Sequence, residues 1–157
     1  MDRGDQIASQ FKSHLDTLQI EYDFLEHEPT PTSEDSSRIR GTPLNEGAKA
    51  LILRTSKGIN VMAVLSGDKK IDSKKLKAIL NDSFSFENPE VILEKYGLII
   101  GGVPPFGAIL GIKTYYDNSI LKNLKVSFNC GTKTKSIDMK VEDFAKAVEG
   151  EWMDFSA

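Results

Sequence analysis

Ala48-Lys49-Ala50-Leu51-Ile52-Leu53-Arg54-Thr55-Ser56-Lys57-Gly58-Ile59-Asn60-Val61-Met62-Ala63-Val64-Leu65 decides the fold class. Ala50 to Arg54 is rich in aliphatics, Lys57-Gly58 reads as a turn, and Ile59 to Leu65 is a second apolar run. Two such runs joined by a glycine-containing turn predict an antiparallel hairpin. Lys49 enters the first strand of that hairpin. A charged residue at the mouth of a buried strand needs a partner or an exit to a cleft, although a lysine stem also lets its ammonium reach the surface.

Helices and further strands flank the hairpin. Ile7, Phe11, Leu15 and Leu18 recur at helical spacing and predict an amphipathic first helix, with His14 on its polar side. Tyr22 to His27 alternates like a strand. Glu28-Pro29-Thr30-Pro31 interrupts it, because proline lacks a ladder donor. Thr32 or Ser33 is placed to cap a short helix through Ile39. A short helical turn is expected near Asn45. Asp72 caps a helix from Ser73 to Leu80 with Leu76, Ile79 and Leu80 inward. Phe84 and Phe86 mark a short strand. Pro89 opens and Gly97 closes another helix. Thr114–Tyr116, Val126–Phe128 and Ile137–Lys140 are further strands, and a last helix runs from Glu142 to Val148. The expected architecture is one α/β (α+β) domain over residues 1–157, with a mixed, largely antiparallel sheet flanked by helices. Residues 149–157 are expected to form a loose tail.

Composition narrows the function classes. The chain has 157 residues, a net charge of −3, one cysteine and two histidines. A protein held to nucleic acid mainly by phosphate neutralisation is usually basic, so any such contact here is local. The dense basic stretch Lys69, Lys70, Lys74, Lys75 and Lys77 reads as a solvated helix face. One cysteine excludes an intrachain disulfide and fits a reducing compartment. The N-terminus has no apolar core of a secretory signal, and no apolar run approaches a membrane span. The expected location is cytoplasmic, with no membrane and no DNA partner.

No G-x-S-x-G elbow, H-E-x-x-H or phosphate loop occurs. Too few His and Cys residues are present for a structural zinc site. A thiol nucleophile would be Cys130 with His27 or His14, but a lone cysteine is commonly a packed residue. The segment Gly101-Gly102-Val103-Pro104-Pro105-Phe106-Gly107 is more informative. Three glycines and two prolines in seven residues make either a stiff connection or a loop that presents backbone N–H groups to an anion or carbonyl oxygen.

The order of these signals resembles the YbaK-like family, the relatives of the prolyl-tRNA synthetase editing domain. The resemblance runs through Tyr22–His27, Thr32–Ile39, Lys49–Leu53, Val61–Leu65, Asp72–Leu80, Tyr96-Gly97, Gly101–Gly107, Asp117 and Asn129–Val148. It implies a hydrolase acting in trans that deacylates mischarged aminoacyl-tRNA. The implied substrate is tRNA for proline carrying a small wrong amino acid such as Cys, Ser, Thr or Ala. By the same resemblance Lys49, Gly101 and Gly102 are catalytic, and Pro105, His27, Thr32, Phe106 and Asn129 bind substrate. The chemistry is expected to be substrate-assisted, without metal or other cofactor. The implied partners are the aminoacyl-tRNA acceptor end and prolyl-tRNA synthetase. Alanine-removing members carry Asn directly after the lysine, where this chain has Ala50. The alternative reading is a non-catalytic module that binds aminoacyl-tRNA or a synthetase.

Overall fold

The computed structural model describes residues 2–29, 38 and 41–157. The hairpin forms as expected. Strand β2 (Ala48–Thr55) pairs antiparallel with β3 (Asn60–Ser66), placing Lys49 opposite Leu65 and Ile52 opposite Met62. It is the centre of a five-stranded sheet in the order β4-β2-β3-β5-β8, where β4 is Phe84–Phe86, β5 Lys113–Asp117 and β8 Glu151–Met153. A three-stranded sheet has the order β1-β7-β6, where β1 is Asp23–Glu26, β6 Lys125–Asn129 and β7 Lys135–Lys140. Pairings β1/β7, β6/β7, β2/β3 and β2/β4 are antiparallel, whereas β3/β5 and β5/β8 are parallel. The two parallel pairs require long crossovers. The first crossover holds α2 (Ser73–Leu80), β4 and α3 (Pro89–Tyr96); the second holds β6, β7 and α4 (Val141–Ala147). Helix α1 (Gly4–Thr17) precedes β1.

Local chemistry explains the boundaries. The Asp72 carboxylate accepts from the N–H groups of Lys74 and Lys75 at the start of α2, a cap worth about 1 kcal/mol. Asn88 caps α3, Pro89 sits in its first turn, and Gly97 ends it in the left-handed conformation at φ 69°.

Apolar residues pack on both faces of the five-stranded sheet. Ile52, Met62, Val64 and Tyr116 face a core shared with Phe11 and Leu15 of α1, Val126, Phe128, Ile137 and Met139 of the small sheet, and Phe144 of α4. Leu53, Val61, Ala63, Leu65 and Tyr115 face the opposite way, against Leu76 of α2 and Phe155. Such two-sided burial reads in sequence as near-continuous aliphatic runs, which is the pattern of Leu51–Leu53 and Val61–Leu65.

Two expectations are corrected. Residues 149–157 are not a loose tail. Strand β8 pairs with β5, Trp152 stacks on Tyr116 at 4.9 Å, and Phe155 is fully buried. The Asp117 carboxylate accepts from the N–H groups of Phe155 and Ser156, and Asp72 N–H donates to the Phe155 carbonyl. The segment is short and partly polar, so its order comes from an open sheet edge and a carboxylate placed by distant parts of the chain. His14 is not an exposed residue of the polar face either. Its Nε2 is 2.7 Å from the Ala147 carbonyl and its ring is 4.8 Å from that of Phe106. Helix α4 and the glycine–proline loop cover that side of α1. The helix expected over Thr32–Ile39 lies outside the described residues, apart from Arg38, which is helical.

Candidate active site

Strand alternation builds one polar face from residues far apart in sequence. On β6, Val126 and Phe128 point into the core, so Ser127 and Asn129 point the other way. On β7, Ile137 and Met139 are in the core and Ser136 and Asp138 lie opposite. A parallel bridge between Gly47 and Ser127 lays the start of β2 alongside β6. Two residues further along each strand are Lys49 and Asn129, on that same side. His27 follows β1; its N–H donates to the Thr134 carbonyl, which extends the β1/β7 ladder.

Hydrogen bonds link these groups. His27 Nε2 is 2.6 Å from Ser136 Oγ, and Nδ1 is 2.8 Å from the Glu28 carbonyl. The Ser136 hydroxyl donates to Asn129 Oδ1 at 3.2 Å. The Asn129 amide donates to the Gly101 carbonyl at 2.6 Å. The Ser127 hydroxyl donates to Asp138. Lys49 is half-buried at the edge of this face.

The glycine–proline loop reaches the face as a tight turn. Gly102 N–H donates to the Ile99 carbonyl at 2.9 Å, with Gly101 between them at φ 91°. Glycine tolerates that backbone at the third position of the turn, where other residues are strained. A Cβ on Gly102 would lie 3.0 Å from Thr132 Cα, so the loop packs directly on the backbone after β6. The N–H groups of Gly101 and Val103 have no backbone acceptor among the described residues. They are the donors this turn leaves for a ligand oxygen.

The structure sorts the expected site residues. Lys49, Gly101, Asn129 and His27 come together around one face. Gly102 is corrected from ester donor to turn closure, because its N–H is already bonded. Phe106 is corrected from substrate wall to core. It is 3% exposed, with its ring 5.4 Å from Phe11. Pro105 is buried, and its carbonyl accepts from the Tyr116 hydroxyl. Thr32 lies outside the described residues. Asp117 is fully engaged in holding the C-terminal segment and the Ser119 N–H. Burial alone would raise its carboxyl; the hydrogen bonds from Ser119, Phe155 and Ser156 outweigh burial and hold it below the usual carboxylate range. Cys130 is fully buried, and burial pushes its thiol up to about 12. A neutral thiol without solvent access is a poor nucleophile.

Ser127, Ser136 and Asp138 are additions to the expected site. Their signal is the alternation in Lys125–Asn129 and Lys135–Lys140, where polar residues occupy every second position on paired strands. That pattern alone also describes an ordinary solvated sheet face. Burial tells the two apart, since Ser127 and Ser136 are both 0% exposed. No helix among the described residues is long and apolar enough to cross a membrane.

Residues 27–147 match the family model of the aminoacyl-tRNA editing domain. The chain is 31% identical over 134 residues to the multifunctional Ser/Thr-tRNA deacylase ProXp-y of Escherichia coli, covering 82% of this chain and 80% of that protein. It is 28% identical over 149 residues to the prolyl-tRNA editing protein ProX of Acetoanaerobium sticklandii, with 91% of each covered. Over 124 residues it is 33% identical to part of the proline–tRNA ligase of Thermotoga maritima, covering 75% of this chain and 21% of the ligase. The fold matches that of the hypothetical protein APE2540 at a TM-score of 0.83 and 21% identity, over 93% of this chain and 98% of that one. With Lys49 and the glycine–proline loop carried on this fold, and with the family model spanning both, the chain belongs to the aminoacyl-tRNA editing domain family, in its YbaK-like group.

Proposed function

We propose that this protein is a trans-acting hydrolase that removes a small wrong amino acid, such as Ser, Thr, Cys or Ala, from mischarged aminoacyl-tRNA, tRNA for proline included. The observation that carries the reading is the convergence of Lys49, Asn129 and the Gly101 turn on one polar face. The names of the deacylase and editing relatives support the same chemistry.

An aminoacyl ester is already activated, so positioning and oxyanion stabilisation supply most of what hydrolysis needs. The N–H groups of Gly101 and Val103 receive the developing oxyanion. The Lys49 ammonium, with three donors and a compact charge, holds the terminal adenosine or its phosphate. Water attacks the ester carbon, assisted by a tRNA hydroxyl or a substrate group; the C–O bond breaks, the tRNA hydroxyl is restored and the amino acid leaves as its carboxylate. The reaction as proposed uses neither a protein nucleophile nor a metal. A net charge of −3 suits a contact confined to the acceptor end, with prolyl-tRNA synthetase as a partner that holds the rest of the tRNA.

The test is deacylation of a panel of tRNAs charged with Ala, Cys, Ser, Thr and Pro, by wild type and by Lys49→Ala. A charge-assisted contact is worth about 1.5–3 kcal/mol, so Lys49→Ala is expected to slow the best reaction about ten- to a hundredfold. A folded Lys49→Ala protein at the wild-type rate overturns the site. A wild type that binds charged tRNA and releases nothing across the panel establishes a binding module instead.

A further inference from the structure

The Gly101–Gly102 peptide is held at both ends: its N–H donates to the Ile99 carbonyl and its carbonyl accepts from the Asn129 amide. The second bond depends on which way the amide points. An asparagine amide turned by half a rotation would set its oxygen against the Gly101 carbonyl, and the two acceptors would repel. The hydroxyl of Ser136 decides between these orientations. It donates to Asn129 Oδ1, which leaves the NH2 end for Gly101. A serine hydroxyl has one proton, so the Ser136 oxygen then receives His27 Nε2–H, 2.6 Å away. Ser136 is fully buried, so this hydroxyl does not touch substrate itself.

We infer that Ser136 is a positioning residue for the proposed deacylation. Held between His27 and Asn129, it orients the Asn129 amide, which restrains the Gly101 carbonyl and with it the direction of the Gly101 N–H. Glycine at φ 91° has no side chain to limit rotation, so this external restraint keeps the donor pre-aimed. Ser136 acts only through Asn129. The inference rests on the deacylase reading.

The experiment compares wild type, Ser136→Ala, Asn129→Ala and the double variant, on the best substrate of the panel. Loss of one neutral hydrogen bond predicts a fall in kcat of about threefold to tenfold for Ser136→Ala, with KM within about twofold. On the Asn129→Ala background the serine change adds less than about twofold, because the residue it acts through is gone. The Asn129 side-chain amide protons, followed by NMR in the free protein, exchange faster in Ser136→Ala than in wild type. Ser136→Cys keeps nearly the same shape with a weak donor, and serves if the alanine variant does not fold. Unchanged kcat in Ser136→Ala, an equal further loss in the double variant, or unchanged amide exchange overturns the positioning role while leaving the deacylase reading intact. A wild type inactive on every charged tRNA overturns both.

Discussion

Replacing Gly101 by alanine separates strain from function. Gly101 sits at φ 91°, where an L-residue is strained by roughly 1–2 kcal/mol. The new Cβ would lie 2.9 Å from Lys133 Cε, the far end of a flexible side chain that can move aside at little cost. The expected loss of stability is therefore the strain alone, a fall in Tm of roughly 2–8 °C for a chain of this size. If the turn instead relaxes towards negative φ, the bonds from Asn129 to the Gly101 carbonyl and from Gly102 to Ile99 break, and the Gly101 N–H turns away from the site. Loss of one oxyanion donor costs about 100-fold in rate, so deacylation is expected to fall by about that much while acceptor-end binding changes little. Gly58 provides the control. It has φ 77° in the β2–β3 turn, and an added Cβ there meets nothing within 4 Å. Gly58→Ala carries similar strain without touching the site, and is expected to lose stability but keep its rate. The assays are thermal unfolding and initial deacylation rates on the best substrate. Equal rates for Gly101→Ala and Gly58→Ala, at equal loss of stability, would refute a role for the loop backbone in the chemistry.

Three further outcomes follow from the same structure. Cys130→Ser is expected to keep its deacylation rate, because the thiol is buried and pushed up to about 12; loss of activity in a folded protein would reinstate a thiol mechanism. Asp117 has a folded carboxyl below its unfolded value, so its stabilising effect is present above the unfolded value of about 3.9 and is lost as pH falls through the lower folded one. Urea melts between pH 5 and pH 2.5 should show that loss. Asp117→Asn should cost about 1–3 kcal/mol at neutral pH, by leaving a buried N–H unpaired, and should flatten the acid limb; an unchanged limb would place the acid sensitivity elsewhere. Phe155→Ala is expected to cost about 3–5 kcal/mol, the usual range for a buried phenylalanine, measured by urea unfolding. A cost under about 1 kcal/mol would mean that the C-terminal segment adds nothing to the core.

Local signals were enough for most of the elements. The Lys57-Gly58 turn between two aliphatic runs identified the β2–β3 hairpin, Asp72 placed the start of α2, and Pro89 with Gly97 bracketed α3. Each rests on caps, turns and periodicity, whose causes lie within a few residues. Lys49, Gly101, His27 and Asn129 were also legible as candidates, because a lysine entering a buried strand and a glycine–proline loop are unusual wherever they occur. Their meeting is a different matter. The Gly47–Ser127 bridge and the Asn129–Gly101 bond join segments tens of residues apart, and nothing local to either segment encodes the encounter.

The same division explains the corrections. A glycine–proline loop announces backbone freedom, but only its packing on Thr132 and the bond to Ile99 decide that Gly102 closes the turn and that the Gly101 and Val103 donors remain. Ser136 looks like any polar residue of an amphipathic strand; its full burial between His27 and Asn129 gives it a structural role. Residues 149–157 carry little periodicity, and they are ordered by the open edge of β5 and the carboxylate of Asp117. Sequence by itself determined the elements, the fold class and the residues able to do chemistry, because propensity, capping and turn geometry act over short stretches of chain. Tertiary structure alone decided which of those residues share a face and which donors stay available, because strand pairing and burial are set by parts of the chain that local sequence does not contain.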